Sequence, residues 1–377
     1  MRKIRVVHII SGTTHGGAER MLQKIVRFTD KSRYCAEIIS LNGIGVVGQE
    51  MLDEGMTVHS FSLKSWKIFF SLIALARLLR TIKPDIVQTW MYHGDFFGGV
   101  LAKICTKAKI IWGIRVTLDG KNLEQRSTWV LAYINALLSH FIPDVIISNS
   151  VDGRDSHIRS GYARKKFVLV PNGFETERYQ FDKIKRIKSR TEWQIGDGDF
   201  VIGMAGRYVK QKDWLTFFKL IADLCKHNPN IKAVVCGSKM DNGNPALGAV
   251  IDELQIRDRI VMLGPISNMI DFYCGLDLFA LTSIFEGFPN VVGEALAIGL
   301  PCVVTNAGEC RELVEACYVA PCGAVSALSA MCQRIIDMDD LQLVKYKSEL
   351  AHSLRARYDI KNIVQLQQEI YDSLVHG

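Results

Sequence analysis

The ten cysteines of this 377-residue chain include no Cys-x-x-Cys pair, and none has a histidine at zinc-ligand spacing. Neither a structural metal site nor a disulfide framework is indicated, and a reducing compartment fits this usage. The basic and then apolar start, Met1-Arg2-Lys3 followed by Ile4–Ile10, reaches Ser11-Gly12 too soon for a signal peptide and lacks a small-residue cleavage site, so a buried first strand is expected. No repeat or low-complexity tract stands out. The apolar stretch Ser65–Arg80 is too short to span a bilayer. It reads either as a helix packed on a sheet or as one whose exposed edge dips into a membrane surface, and Trp129–Phe141 reads the same way. No RNA- or DNA-binding motif accompanies the net charge of +7, so no nucleic-acid partner is expected.

What is present is material for two hydrophobic cores: 48% of the residues are hydrophobic and the length exceeds what one core usually supports. Charge is divided unevenly. Residues 1–172 carry 24 Lys+Arg and 13 Asp+Glu, net +11, whereas the remainder carries 22 and 26, net −4. Such a basic half attracts anionic headgroups or a diphosphate-bearing substrate. Short β-branched runs alternate with amphipathic helical stretches, which predicts α/β architecture with doubly wound parallel sheets. Candidate strands are Ile4–Ile10, Glu37–Leu41, Val58–Phe61, Ile86–Thr89, Lys109–Trp112, Val145–Ser148 and Phe167–Val170, then Phe200–Ala205, Ala233–Cys236, Ile260–Leu263, Leu278–Leu281 and Cys302–Thr305. Turn chemistry at Pro171-Asn172-Gly173 and a basic, low-periodicity stretch from Asp182 to Arg190 separate the two sets. Residues 1–175 and 176–358 are therefore expected as two Rossmann-like domains, followed by residues 359–377.

Unusual chemistry gathers just after candidate strands, where open parallel sheets bind ligands. In Ser283–Pro301 two carboxylates, Glu286 and Glu294, flank a Gly-Phe-Pro turn, with a helix starting around Asn290. Carboxylates accept strongly from vicinal hydroxyls, and unpaired amides of Asn290, Val291 and Val292 at the helix start would face an anion. After Phe200–Ala205, Gly206-Arg207 and Lys212 place two cations where a leaving diphosphate gains charge. Gly16 and Gly17 follow the first strand, spaced neither as Gly-x-Gly-x-x-Gly nor as a P-loop. His93 and Asp95 follow Ile86–Thr89; they either orient a substrate hydroxyl or form a capped helix start with a hydrogen-bonded histidine. Asp197-Gly198-Asp199 precedes a strand and reads as a turn rather than a metal triplet.

The Glu286–Glu294 segment, Gly206-Arg207, Lys212, Gly16-Gly17-Ala18-Glu19, Val170–Phe174 and Gly299-Leu300-Pro301 together resemble glycosyltransferase family 4, over nearly the whole chain. The resemblance implies a GT-B fold, two Rossmann-like domains facing across a cleft, with the last helix, Ile360–Leu374, crossing back to the first. It implies retaining transfer by front-side attack, with no metal and no cofactor. Arg207 and Lys212 would hold the donor diphosphate, Glu286 the donor sugar and Glu294 the ribose. Phe288, Pro289, Asn290, Val291 and Val292 would line the donor, and Gly16 and Gly17 would close over the diphosphate. Where many relatives carry a histidine after the fifth strand this chain has Arg115, which would substitute as a charged donor contact; Glu175 and Lys210 are lesser departures. The expected activity moves a sugar from a UDP- or GDP-sugar to a glycan or polyprenyl-lipid-linked acceptor of a surface polysaccharide. The enzyme would sit in the cytoplasm, peripheral on the inner membrane face with an anionic surface as partner. The alternatives are a nucleotide-sugar 2-epimerase and a catalytically silent sugar-nucleotide-binding subunit.

Overall fold

Of seven short runs in the first part of the chain most are apolar with few interruptions, the pattern of parallel strands covered on both faces, whereas Thr57–Ser60 has Val58 as its one apolar residue. In the computed structural model, which describes residues 2–14, 16–63, 68–118 and 126–377, they are β1 (Ile4–Ile10), β2 (Tyr34–Ser40), β3 (Thr57–Ser60), β4 (Ile86–Trp90), β5 (Lys109–Ile114), β6 (Val145–Ser148) and β7 (Phe167–Leu169). They form one parallel sheet in the order β3-β2-β1-β4-β5-β6-β7. One face packs against the helices Gly17–Phe28 and Ile360–His376, the other against Ile68–Ile82 and Arg126–Leu138. This unit comprises residues 1–173 and 360–377.

The second unit, residues 174–359, holds β8 (Phe200–Ala205), β9 (Ile231–Cys236), β10 (Ile260–Met262), β11 (Leu278–Leu281), β12 (Cys302–Thr305) and β13 (Val319–Ala320). They too are parallel, in the order β10-β9-β8-β11-β12-β13, around a single continuous core. Strand β13 escaped the sequence reading because two residues carry no period. The basic stretch after Asp182 is ordered, as the helix Lys183–Glu192. Asp182 caps it by accepting from the amides of Ile184 and Lys185, and its packing face is ionic rather than apolar. Lys185 pairs with Asp271 at 2.6 Å, and Arg186 and Arg190 grip Asp277 at 2.6 and 3.3 Å. A helix held by such pairs shows no hydrophobic periodicity.

The two apolar stretches are each half of what either reading supposed. Ile68–Ile82 buries Leu75, Leu79 and Ile82 but exposes Phe69 and Phe70, while Ser65, Trp66 and Lys67 lie outside the described residues. No helix among the described residues is long and apolar enough to cross a membrane.

Candidate active site

In each sheet the chain reverses its direction of winding once, between β1 and β4 in the first unit and between β8 and β11 in the second. The crevice beyond the carboxyl ends at such a switch point is where open α/β sheets hold ligands. Three loops of the second unit meet there, after β8, β11 and β12.

The loop after β8 is turned back on itself. Asp213 takes a left-handed conformation (φ +45°), and its carboxylate accepts from the Thr216 amide at 3.3 Å to cap the helix Trp214–His227 and from the Thr216 hydroxyl at 2.6 Å. The reversal lays the Lys212 stem across Gly206, where a Cβ would stand 3.1 Å from Lys212 Cε. Four bonds then stitch this loop to the one after β11. Thr282 Oγ1 donates to the carbonyls of Lys212 and Asp213 (3.3 and 3.0 Å), the Ile284 amide to Gln211 O (2.8 Å), and Gln211 Nε2 to Phe285 O (2.8 Å). With the backbones fixed, Lys212 Nζ donates to Glu286 Oε1 at 2.6 Å, and Ser283 Oγ donates to the same oxygen at 2.6 Å. The loop after β12 closes beneath. Gly308, at φ +55°, leaves no room for a Cβ against the Glu286 carbonyl, and Glu309 N reaches Gly287 O at 3.4 Å.

Arg207 precedes Lys212 on the loop after β8. Its carbonyl accepts from the Trp214 indole at 2.9 Å, while its guanidinium is exposed and makes no ion pair among the described residues. Glu294, in the helix Asn290–Ala297, accepts from Tyr273 Oη at 3.0 Å and is bonded by Tyr179 as well. Burial first, and then this carboxylate, push both phenols well above their ordinary range, so they stay protonated donors.

Two expectations for this segment need correction. The Val292 amide is not open to an anion: the helix begins with a tight turn in which it donates to Pro289 O at 3.0 Å, and the Val292 side chain is fully buried. The Phe288 ring likewise belongs to the core, packed on Phe174 and Tyr358 with centroids about 6 Å away, so it does not line a ligand surface. Pro289 is the helix N-cap residue, followed by Asn290 and Val291 at the first two helical positions.

In the first unit, Gly16 caps the helix Gly17–Phe28, and His15 lies outside the described residues. The Glu19 carboxylate folds over Gly16, so the helix N-terminus already carries its own anion. His93 ends a short turn after β4; partial burial lowers its pKa, and its ring makes no hydrogen bond among the described residues. Asp95 neither caps a helix nor bonds His93. It is fully buried and accepts from Thr89 Oγ1 at 2.5 Å, and burial raises its pKa well above the ordinary carboxylate range. Arg115 is buried too. Its guanidinium stacks 4.6 Å over Trp90, Nη1 donates to Asn172 Oδ1 at 2.7 Å, and burial lowers its pKa to about 10.

Sequence reasoning missed Ser283, Gln211, Tyr179, Tyr273 and Gly308. Ser283, three residues before Glu286, and Gln211, next to Lys212, lay close enough to be found. It also passed over Gly43-Ile44-Gly45-Val46-Val47-Gly48, which has Gly-x-Gly-x-x-Gly spacing after β2. Those glycines serve packing: Gly45 and Gly48 press against Thr13, whose Oγ1 accepts from the Gly45 amide at 3.0 Å.

Residues 15–178 match the family described as Glycosyltransferase Family 4, and residues 185–348 match Glycosyl transferases group 1. The chain belongs to the group 1/family 4 glycosyltransferases. This glycosyltransferase is 26% identical over 322 residues to the capsular polysaccharide biosynthesis glycosyltransferase CapM of Staphylococcus aureus, covering 81% of this chain and 80% of that one. It is 23% identical over 239 residues to the Escherichia coli UDP-Gal:alpha-D-GlcNAc-diphosphoundecaprenol alpha-1,3-galactosyltransferase (63% and 61% covered). Among solved structures, Anabaena HepE in complex with UDP superposes with a TM-score of 0.87 at 19% identity, covering 98% of this chain and 100% of that one. The glycosyltransferase thus has the GT-B fold, and its place is in polysaccharide or lipopolysaccharide biosynthesis.

Proposed function

We propose that this glycosyltransferase moves a hexose from a uridine diphosphate sugar to a lipid-linked glycan acceptor, with retention and without a metal. The observation that carries the reading is the Lys212–Glu286 pair, fixed by four loop-to-loop bonds, with the exposed Arg207 on the same loop as Lys212. One oxygen of Glu286 occupies one of the three Lys212 N–H donors, which leaves the others for a phosphate. Arg207 adds a bidentate fork. Two cations of this kind stabilise the charge that grows on a departing diphosphate, and Glu286, oriented by Ser283, accepts from sugar hydroxyls. In the step itself the bond from the anomeric carbon to the diphosphate oxygen breaks. A bond to the acceptor oxygen forms on the same face, and the acceptor's proton passes to the departing phosphate oxygen. The products are the glycosylated acceptor and the nucleoside diphosphate.

Uridine is favoured over guanosine because HepE, of like fold, was crystallised with UDP and with UDP-glucose, and the E. coli relative is named for UDP-galactose. That relative's diphosphoundecaprenol acceptor and the basic first half of the chain support a lipid-linked acceptor at an inner membrane face. A thermal-shift panel of UDP, GDP and ADP tests the donor, with UDP expected to raise the melting temperature most. Incubation of a labelled UDP-sugar with lipid-linked acceptor, in metal-free buffer containing a chelator, tests the transfer. Failure of Glu286→Ala to lower turnover, or a strict metal requirement, would refute this reading.

A further inference from the structure

Two uncommon backbone features adjoin where β4 ends, at the switch point of the first unit. Met91 takes a left-handed conformation (φ +65°), which side chains of its size avoid, and Gly94–Gly99 is wound as a π-helix. Strain of this kind persists only where the surroundings over-determine it, and it gathers where a group must be held in place. The π-helix lies hard on the sheet. A Cβ at Gly98 would stand 2.7 Å from Ile9 Cγ2, and one at Gly99 would stand 2.5 Å from the Trp112 indole nitrogen.

A buried polar network does the over-determining. Asn135 Nδ2 donates to the Tyr92 carbonyl at 2.9 Å, and the Tyr92 hydroxyl lies 2.8 Å from His157 Nε2. His157 Nδ1 lies 2.7 Å from the Gly153 carbonyl, so Nδ1 carries the proton and Nε2 accepts from Tyr92. Three residues after Tyr92, Asp95 accepts from Thr89 Oγ1 at 2.5 Å. Asp95 Oδ2 and the Trp112 indole N–H are buried with no partner among the described residues. Polar groups left in that state cost stability, and a core that merely needed filling would not keep them. Between the Tyr92 and Asp95 anchors stands His93, partly exposed, with a ring that burial keeps toward its neutral form. A neutral imidazole has one donor and one acceptor, the pair that a hydroxyl group matches.

We infer that Tyr92 and Asp95 are positioning residues for His93, and that the strained turn and π-helix hold its ring ready for one hydroxyl of the glycosyl acceptor. Asp95 works from beneath, through the backbone it pins. Because burial raises its pKa well above the ordinary carboxylate range, Asn is a close stand-in for its protonated form. The inference rests on the lipid-linked acceptor proposed above and names the groups that set where that acceptor lies.

The test is steady-state transfer by the full chain from labelled UDP-glucose and UDP-galactose to polyprenyl-diphosphate-linked N-acetylglucosamine, with UDP affinity measured alongside. His93→Ala should raise the acceptor KM about tenfold, the loss of one hydrogen bond. Asp95→Ala and Tyr92→Phe should each raise it about three- to tenfold while UDP affinity stays within about twofold, and Asp95→Asn should restore the native value. Double variants decide between positioning and packing. In the His93→Ala background, Asp95→Ala or Tyr92→Phe should raise the acceptor KM no further, because both act through the ring already removed. Tyr92→Phe deletes a single oxygen, so it reports even where Asp95→Ala fails to fold. Losses that add to that of His93→Ala, or that carry UDP affinity down with them, belong to a packing defect and overturn the inference. So does an unchanged acceptor KM in His93→Ala, with the transferase reading left standing. A wild-type chain that binds UDP but glycosylates no polyprenyl-linked sugar overturns the lipid-linked acceptor, and this inference with it.

Discussion

Consider replacing Lys212 by Met, which keeps the stem over Gly206 and removes the charge. The ammonium and the Glu286 carboxylate are 16% and 10% exposed and 2.6 Å apart, so each is poorly hydrated without the other. Breaking a buried pair by deleting one partner costs about 3–5 kcal/mol; with some solvent access at Lys212 the lower figure applies, about 3 kcal/mol. Glu286→Gln should cost less, about 1–2 kcal/mol, because the amide oxygen still accepts from Lys212 and Ser283. In the double variant no charge is stranded, so its cost should fall about 2 kcal/mol short of the sum of the singles. A double-mutant cycle by urea denaturation reads this coupling, and a UDP titration of each variant reads its use. Lys212→Met should weaken UDP by about 10- to 100-fold, as expected for losing a charge-assisted phosphate bond, while Glu286→Gln should leave UDP affinity nearly unchanged and reduce turnover. Costs that add to within about 0.5 kcal/mol would show that the contact carries no coupling. A Lys212→Met variant with undiminished UDP affinity would remove Lys212 from the diphosphate.

Other positions give shorter tests. Gly308→Ala places a Cβ against the Glu286 carbonyl at positive φ, so activity should fall by at least tenfold with a stability loss of about 1–3 kcal/mol, read by transfer assay and melting curve. Arg115→Lys loses the Trp90 stack and the planar fork on Asn172; the melting temperature should drop while UDP affinity stays within about twofold, and a tenfold affinity loss would instead place Arg115 on the donor. Tyr273→Phe removes a donor from Glu294 and should weaken UDP-sugar binding by calorimetry without abolishing turnover. Burial lowers His8 to about 3 and His157 to about 4 and lowers His93 as well, so as pH falls from 6.5 towards 4 the unfolded chain takes up protons that the folded chain refuses, and stability falls. Asp95, raised by burial, has the opposite sign, so Asp95→Asn should steepen the fall, and an unchanged profile in that variant would refute the assignment.

Strands were legible wherever a run was apolar on both faces: β1, β6, β8, β11 and β12 stand at the limits their residues announce. Legibility ended where packing used other means. The helix Lys183–Glu192 is held by Asp271 and Asp277, which lie some 80 to 90 residues onward and leave no periodic trace. At the site, residue types at strand ends pointed to Lys212 and Glu286, but their contact depends on the Asp213 reversal and on Gln211 bridging to Phe285. No local spacing encodes such long-range hydrogen bonds. Tyr179 and Tyr273 come to Glu294 from 115 and 21 residues away, invisible until the sheet brings them there.

The two switch points are built to different ends, and the difference follows from where their hydrogen bonds run. In the second unit the loops after β8, β11 and β12 are bonded to one another, so the ammonium and carboxylate are held in place by their neighbours. Charges fixed before the donor arrives need little reorganisation as the diphosphate departs, which is the condition under which they lower a barrier. In the first unit the strand-end groups turn inward. Asp95 bonds Thr89, Arg115 lies on Trp90 and bonds Asn172, and Glu19 covers its own helix start. Of the candidates there, His93 alone has a ring that is partly exposed and without a hydrogen bond among the described residues. Groups prearranged for charge in the second unit suit the diphosphate of the proposed donor, and the partly exposed His93 of the first unit suits a hydroxyl group of the proposed acceptor. On that logic His93→Ala should raise the acceptor KM while leaving UDP affinity intact, and a loss of UDP affinity instead would show that the first unit also grips the donor.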